Sequence, residues 1–140
     1  MASLDERFVT ACSLGNADEA GRLLREGADI EARQEGLQRT GLLIACQRSH
    51  DAVIALLLEN GADKEARDPA QWTPLILASM NGRLSAVAQL LDHRADTEAH
   101  ADDTFTALHW ACLAGYPEVA DLLIARGAKS RPEPWNRSPL

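Results

Sequence analysis

The sequence predicts an all-α solenoid, in which short helix pairs stack one behind another. Two observations support this prediction. Residues 72–78 are echoed 33 residues earlier in the chain, at 40–45, and again 33 residues later, at 106–111. Self-similarity at a fixed period of this length is the signature of a repeat architecture. In addition, hydrophobic residues make up 46% of the chain but aromatic residues only 4%, which favours thin, closely packed helices over a β-sandwich.

Each unit carries the same start and stop signals. A threonine opens each echo and is the expected N-cap of the first helix, because its hydroxyl accepts from a free backbone N–H of the first turn. Glycines recur after the helices, at Gly15, Gly27, Gly61, Gly82, Gly115 and Gly127. Ser49 and Arg94 replace glycine at two of these sites. We predict that both adopt the left-handed conformation and are strained in it.

The period divides one domain, residues 1–140, into repeats at 4–36, 37–69, 70–102 and 103–131, followed by 132–140. The first repeat has polar side chains at three slots that are apolar in later units: Thr10, Glu19 and Arg22. Polar replacements suit a terminal repeat whose outer face has no neighbour. The first repeat is therefore predicted to be a capping repeat.

The other end of the array shows no polar cap. Its outward slots stay apolar at Leu108, Cys112, Ala120, Leu123 and Ile124. The sequence Ser138-Pro139-Leu140 resembles the opening of a fifth unit. Two interpretations remain open: the chain is a fragment of a longer array, or its tail folds back as a cap over the apolar stripe.

The unit resembles the ankyrin repeat, whose signature is Thr-Pro-Leu-His-x-Ala. Thr73-Pro74-Leu75 and Thr106-Ala107-Leu108-His109 carry the resemblance, and His109 matches the histidine that braces the adjoining loop in the family. The resemblance implies an ankyrin-repeat solenoid of helix-turn-helix pairs with projecting β-turn or hairpin finger loops. It also implies a concave, protein-binding face made of the fingers and first helices, with no enzymatic activity, cofactor or metal.

Transferred to this sequence, the fingers are residues 34–39, 67–72 and 100–105. The predicted protein-binding residues are Trp72, Phe105, Met80, Asn81, Leu113, Tyr116, Arg39, Gln47, Arg48, Arg67, Asp102 and Asp103. Trp72 and Phe105 occupy equivalent finger sites, and Met80 and Leu113 occupy equivalent helix sites. Together they predict an apolar strip, and such patches on protein surfaces mark binding sites.

An alternative remains open for the two finger aromatics, which would pack against neighbouring loops and stabilise the fingers. Trp72 precedes the N-cap and is not required to set the helices, whereas Trp110 replaces Ile44 and Leu77 at an inward slot and is predicted to lie in the core. The arginines towards the first units and the acids on the last finger would steer a partner with complementary charge. A mixed solvated surface explains the same charges.

Composition excludes several other functions. The net charge of −7 argues against nucleic acid as a ligand, since phosphate binding needs excess Lys and Arg. No apolar run approaches the length that a membrane-spanning helix needs and no signal peptide is visible, so a cytoplasmic or nuclear location is expected. Cys12, Cys46 and Cys112 share one repeat slot, which indicates reduced thiols used for packing. No catalytic motif is found.

The predicted function is therefore a non-enzymatic module that binds a protein or peptide, more readily as a monomer than as a homo-oligomer. Two alternatives are structural self-association, through the aromatic strip or the uncapped C-terminal end, and a regulatory role as part of a larger multidomain protein.

Overall fold

The computed structural model describes residues 2–102 and 104–129, and these residues form eight helices. In chain order they are α1 Leu4–Leu14, α2 Ala17–Arg25, α3 Gly41–Arg48, α4 Asp51–Glu59, α5 Pro74–Met80, α6 Leu84–Asp92, α7 Ala107–Ala114 and α8 Pro117–Ala125. Apart from one antiparallel bridge between Arg33 and Thr40, the described residues contain no β-structure. The predicted all-α class is confirmed. The predicted tail or fifth repeat at 132–140 lies outside the described residues.

The helices form four successive pairs arranged in two layers. Each odd-numbered helix packs against the even-numbered helix that follows it. The odd-numbered helices α1, α3, α5 and α7 also contact one another in chain order, and we call them the inner layer. The even-numbered helices do the same in an outer layer. The main helix contacts thus join a pair only to its immediate neighbours, as in a solenoid.

The inner helices begin where the threonine pattern predicts. The hydroxyl of each of Thr40, Thr73 and Thr106 accepts a hydrogen bond from the backbone N–H three residues later, at 3.3, 3.2 and 3.5 Å. Pro74 follows the second of these caps in the first helical turn, where its missing N–H leaves no bond unmade. The N–H of Thr106 in turn donates to Nδ1 of His109 at 3.0 Å, which completes a capping box.

Ser49 and Arg94 have the left-handed backbone that the sequence predicts, with φ of 58° and 64°. At the equivalent sites of other units, glycine adopts this conformation, which is strained for a residue with a side chain.

Gly41 is needed because its site has no space for a side chain. A Cβ at Gly41 would lie 2.7 Å from Sγ of Cys12, so the absence of a side chain lets α1 and α3 approach closely.

One large cluster of buried apolar side chains runs through the whole array, and a second, smaller cluster consists of Leu43, Ala66 and Leu77. Cys12, Cys46 and Ser79 share a repeat slot and are buried, while Cys112 at the same slot of the last pair is exposed. All three thiols are free. Burial raises the pKa of Cys12 to about 12, so this thiol is neutral at physiological pH. Small side chains at this slot thus serve packing, as predicted.

The loops between pairs are tied together by a hydrogen bond that recurs along the array. A backbone N–H just beyond α4, α6 and α8 donates to a glutamate of the preceding loop. Three such bonds repeat: Asp63 to Glu31, Asp96 to Glu65 and Lys129 to Glu98, at 2.9, 2.9 and 3.1 Å. Each satisfies a backbone donor with a carboxylate, an arrangement stronger than a neutral hydrogen bond. The bonds hold successive loops in register, and so position the fingers.

Candidate protein-binding face

We call the surface formed by the fingers 34–39, 67–72 and 100–105, together with the last turns of α3, α5 and α7, the finger face. The described residues that the sequence predicts to bind a partner lie on it or beside it. In each finger, the third residue before the next inner helix has a positive φ: Gln38, Gln71 and Thr104, at 56°, 71° and 65°. The three fingers therefore turn at the same place. The residue that follows each turn is Arg39, Trp72 or Phe105, and these form equivalent positions on the face.

Arg39 and Asp68 form a buried ion pair between the first and second fingers. Nε of Arg39 lies 3.1 Å from Oδ2 of Asp68, and its terminal nitrogen donates to Oε1 of Gln47 at 2.6 Å. The other carboxylate oxygen of Asp68 accepts from the backbone N–H groups of Ala70 and Trp72, at 2.9 and 3.0 Å. Arg39 and Gln47 thus fix two fingers to α3, and the charge of Arg39 is neutralised within the protein.

Three aromatic side chains form a cluster on the other half of the face. The ring of Trp110, on α7, lies edge-to-face against Trp72, with centroids 6.2 Å apart, and against Phe105, at 5.5 Å. All three are half-buried. Edge-to-face pairs are favourable beyond the area that they bury. Trp110 packs against the core but is less buried than Ile44 and Leu77 at the same slot, and its indole N–H is buried without a hydrogen-bond partner among the described residues.

The structure corrects one expectation about Trp72. This residue packs against the core and against Trp110, so it contributes to the fold as well as to the surface. Both finger aromatics thus pack on Trp110, which belongs to a helix and not to a neighbouring loop, and their contact with a partner stays a prediction. Sequence alone could not decide this point, because the packing of an aromatic loop residue depends on which side chains the neighbouring repeats place beside it.

Leu113 is the predicted apolar residue that is most open to solvent, with 58% of its surface exposed. Tyr116 is 38% exposed, and its ring lies over Gly82, where a Cβ would come within 2.5 Å of Cε1. Met80 is half-buried against the core. Leu113 and Tyr116 are thus the exposed apolar residues of the predicted strip, and Tyr116 is held in place by the third pair.

The remaining predicted polar residues are tied to neighbouring backbone. A terminal nitrogen of Arg48 donates to the carbonyl and hydroxyl oxygens of Ser13, both at 3.0 Å, and one of Arg67 donates to the carbonyl oxygen of His100 at 2.9 Å. Asn81 bonds a carbonyl of its own helix at 2.8 Å. Asp102 is exposed, and Asp103 lies outside the described residues.

Sequence reasoning missed Arg33. One of its terminal nitrogens donates to the carbonyl oxygens of Gln38 and Arg67, at 2.6 and 2.8 Å, and so links the first finger to the second. Arg67 makes the equivalent bonds within its own finger and to the third finger. The signal was present, because Arg33 directly precedes the first finger and Arg67 opens the second. It passed unnoticed because the spacing of the two arginines is one residue longer than the repeat period.

Among residues 2–102 and 104–129, no group of three or more His, Cys, Asp or Glu side chains is placed to hold a metal ion. None of the helices there is long and apolar enough to cross a membrane.

The chain matches a family model described as ankyrin repeats (3 copies) over residues 8–101, and again over residues 56–133. It belongs to the ankyrin repeat family. Ankyrin repeats generally mediate protein–protein interaction, and the family is typically non-enzymatic. The helix pairs and fingers described above are therefore those of an ankyrin array.

Similar curated proteins match over part of the array. Human ankyrin repeat domain-containing protein 40 is 40% identical over 60 residues, which is 43% of this chain and 16% of that protein. The mouse protein of the same name is 38% identical over the same length. The bovine mitochondrial disaggregase is 39% identical over 67 residues, 48% of this chain and 10% of that protein. The chain thus matches only a small part of the length of these relatives.

Proposed function

We propose that this ankyrin array binds a partner protein or peptide, without catalysing a reaction, on the finger face. The observation that carries the proposal is the apolar strip of Leu113, Tyr116 and the Trp72–Phe105–Trp110 cluster. Exposed Leu and Tyr beside half-buried aromatics are costly to leave in water, and aromatic residues are enriched where binding energy concentrates. The strip thus supplies the apolar centre that a protein interface needs.

The cluster makes the strip rigid before a partner arrives. Trp110 holds both finger aromatics through its two edge-to-face contacts. The Arg39–Asp68 pair fixes the backbone of the second finger through the N–H of Trp72. A surface that is already ordered loses little conformational entropy on binding, which favours affinity. Leu113, which the cluster leaves exposed, is the side chain that we expect to enter a pocket of the partner.

Charges around the strip determine the orientation of the bound partner more than its affinity. Arg48 and Arg67 lie towards the first units, and Asp102 lies on the last finger. A partner with acidic groups at one end and basic groups at the other would dock in a single direction. Asp103 extends the acidic end in this proposal.

We further propose that the array consists of four repeats and the start of a fifth, that it acts in the cytoplasm or nucleus, and that it functions as a monomer. Free buried cysteines fit a reducing compartment. The small share of its relatives' length that the chain matches favours a second role, as the recruiting part of a longer protein.

The test compares two Leu→Asp variants of the chain in affinity capture from a cytosolic extract. Leu113→Asp places a charge in the strip, whereas Leu84→Asp changes a leucine that is 39% exposed at the start of α6, in the outer layer. Both sites are on the surface, so both variants should keep the wild-type circular dichroism spectrum. We expect Leu113→Asp to lose proteins that the wild type and Leu84→Asp both retain.

The proposal fails if all three proteins retain the same set in equal amounts, or if Leu84→Asp alone loses it. Light scattering of the wild type across protein concentrations separates partner binding from self-association. If the molar mass of the wild type rises with concentration and that of Leu113→Asp does not, the strip binds a second copy of this chain instead.

A further inference from the structure

The last helix pair exposes a surface that is covered in every earlier pair. Leu58 and Leu91, on α4 and α6, are each 7% exposed, whereas Ile124 at the same position of α8 is 49% exposed. Cys112 is likewise exposed, although the equivalent residues of α3 and α5 are buried. We call the surface around Cys112 and Ile124 the end face. Leu108, Ala120 and Leu123, predicted as outward residues of this unit, are buried.

The direction of the end face follows from the contacts of the earlier pairs. Sγ of Cys12, at the slot of Cys112, lies against Gly41, the first residue of the next inner helix. A residue at this slot therefore faces the following pair. Within the described residues no helix follows α8. The end face is thus the surface on which a further pair would pack.

The residues just after the last pair follow the same course as those after the earlier pairs. Ala128 is buried like Ala95 at the same position of the preceding unit. The N–H of Lys129 donates to Glu98 at 3.1 Å and so extends the hydrogen-bond series of the earlier loops. Residues 130–140, which lie outside the described residues, follow directly. They include Trp135 and Leu140.

The segment 130–140 is long enough to cover the end face and has suitable chemistry. Fully extended it spans at most about 35 to 40 Å, whereas a nine-residue helix such as α8 is only about 14 Å long. Asp121 is exposed on α8, and its carboxylate, after burial, contributes to the raised pKa of the Cys112 thiol, so it lies beside the end face. Arg131 and Arg137 would complement that charge.

We propose that residues 130–140 lie across the end face, with Trp135 and Leu140 covering Cys112 and Ile124. A tethered segment of this length has an effective concentration in the millimolar range, so it occupies the face before a second copy at micromolar concentration can. The chain's own C-terminal residues then do what a following repeat does elsewhere in the array. Covering the apolar end in this way prevents the array from associating through it.

Thiol labelling of the full chain tests this proposal. Cys12 and Cys46 are buried, so Cys112 is the thiol that a maleimide reaches first, and mass spectrometry identifies the labelled peptide. Trp135→Ala/Leu140→Ala should speed labelling of Cys112 by about tenfold, since truncating the two large apolar side chains removes the burial that favours the covered state. Leu37→Ala is the control, because Leu37 is 58% exposed on the first finger and should leave the rate unchanged.

Equal labelling rates in the wild type and the double variant would overturn the proposal, provided that both have the same circular dichroism spectrum. Slower labelling of the wild type at higher protein concentration would also overturn it, because a second copy would then be the occupant. A variant that loses helicity is replaced by Trp135→Ala alone, labelled under the same conditions and judged by the same two criteria.

Discussion

At the scale of single residues, the structure confirms the backbone conformation predicted for the two sites where another residue replaces the repeated glycine. Ser49 and Arg94 adopt positive φ at sites where other units use glycine. Their strain was predictable because only the backbone position, set by the period, was needed. The partner of Asp68 was not predictable, since Arg39 comes from another unit and neither residue recurs at its position in the other fingers.

Arg94→Gly should stabilise the protein by about 0.5–1 kcal/mol, because glycine adopts the left-handed backbone without steric cost. Arg94 is exposed, so little packing is lost. Urea unfolding at constant m-value measures the gain. The control is Arg25→Gly, at the exposed end of α2, where the same substitution should destabilise the helix. A loss of stability in Arg94→Gly would mean that the arginine makes a compensating contact.

Asp68→Ala should destabilise the protein by about 3–5 kcal/mol, because it leaves the buried Arg39 guanidinium without its counter-charge. It also removes the acceptor of two backbone N–H groups in the second finger. Asp92→Ala is the matched control, since Asp92 pairs with Arg126 on the surface at 2.9 Å and should cost at most about 1 kcal/mol. Similar losses in the two variants, measured by urea unfolding, would contradict the structural role given to the buried pair.

At the scale of elements, the inner helices and their caps were predicted from the threonine spacing, because an N-cap acts within a single turn of the chain. The links between successive loops were not, because they join residues of different repeats: Asp63 with Glu31, Asp96 with Glu65 and Arg33 with Arg67. The link through Glu65 has a pH dependence that can be measured.

Glu65 illustrates the sign of that dependence. Desolvation raises its pKa above the ordinary value of 4.5, so the folded state binds the proton more tightly than the unfolded state. The stability gained from protonation is complete below the unfolded pKa and is lost as pH rises through the higher folded pKa. Glu65→Gln cannot ionise and can still accept from the N–H of Asp96.

The difference in unfolding free energy between Glu65→Gln and the wild type should therefore shift in favour of the variant as pH rises from about 4.5 towards neutrality. Urea unfolding at a series of pH values measures it. Glu65→Ala serves as the control, because it removes the hydrogen bond to Asp96 and should lose stability across the range. A difference that stays constant with pH would show that Glu65 titrates alike in the folded and unfolded chains.

At the scale of the whole molecule, the fold class was predictable because a solenoid repeats its local contacts, so one period determines the architecture. The finger face was predicted only in outline. Its residues are brought together by the stacking of pairs, but which of them stay exposed depends on their neighbours. Trp72 and Phe105 pack on Trp110 and are half-buried, whereas Leu113 stays exposed to solvent.

The central claim is that partner binding depends on the strip at Leu113 and not on the outer layer. Calorimetric titration of a purified captured protein with the wild type, Leu113→Asp and Leu84→Asp tests it most directly. We expect Leu113→Asp to weaken binding by at least about tenfold, the loss typical of a side chain at the centre of an interface, and Leu84→Asp to bind like the wild type. Unchanged affinity in Leu113→Asp together with a loss in Leu84→Asp would place the partner on the opposite layer and contradict the account.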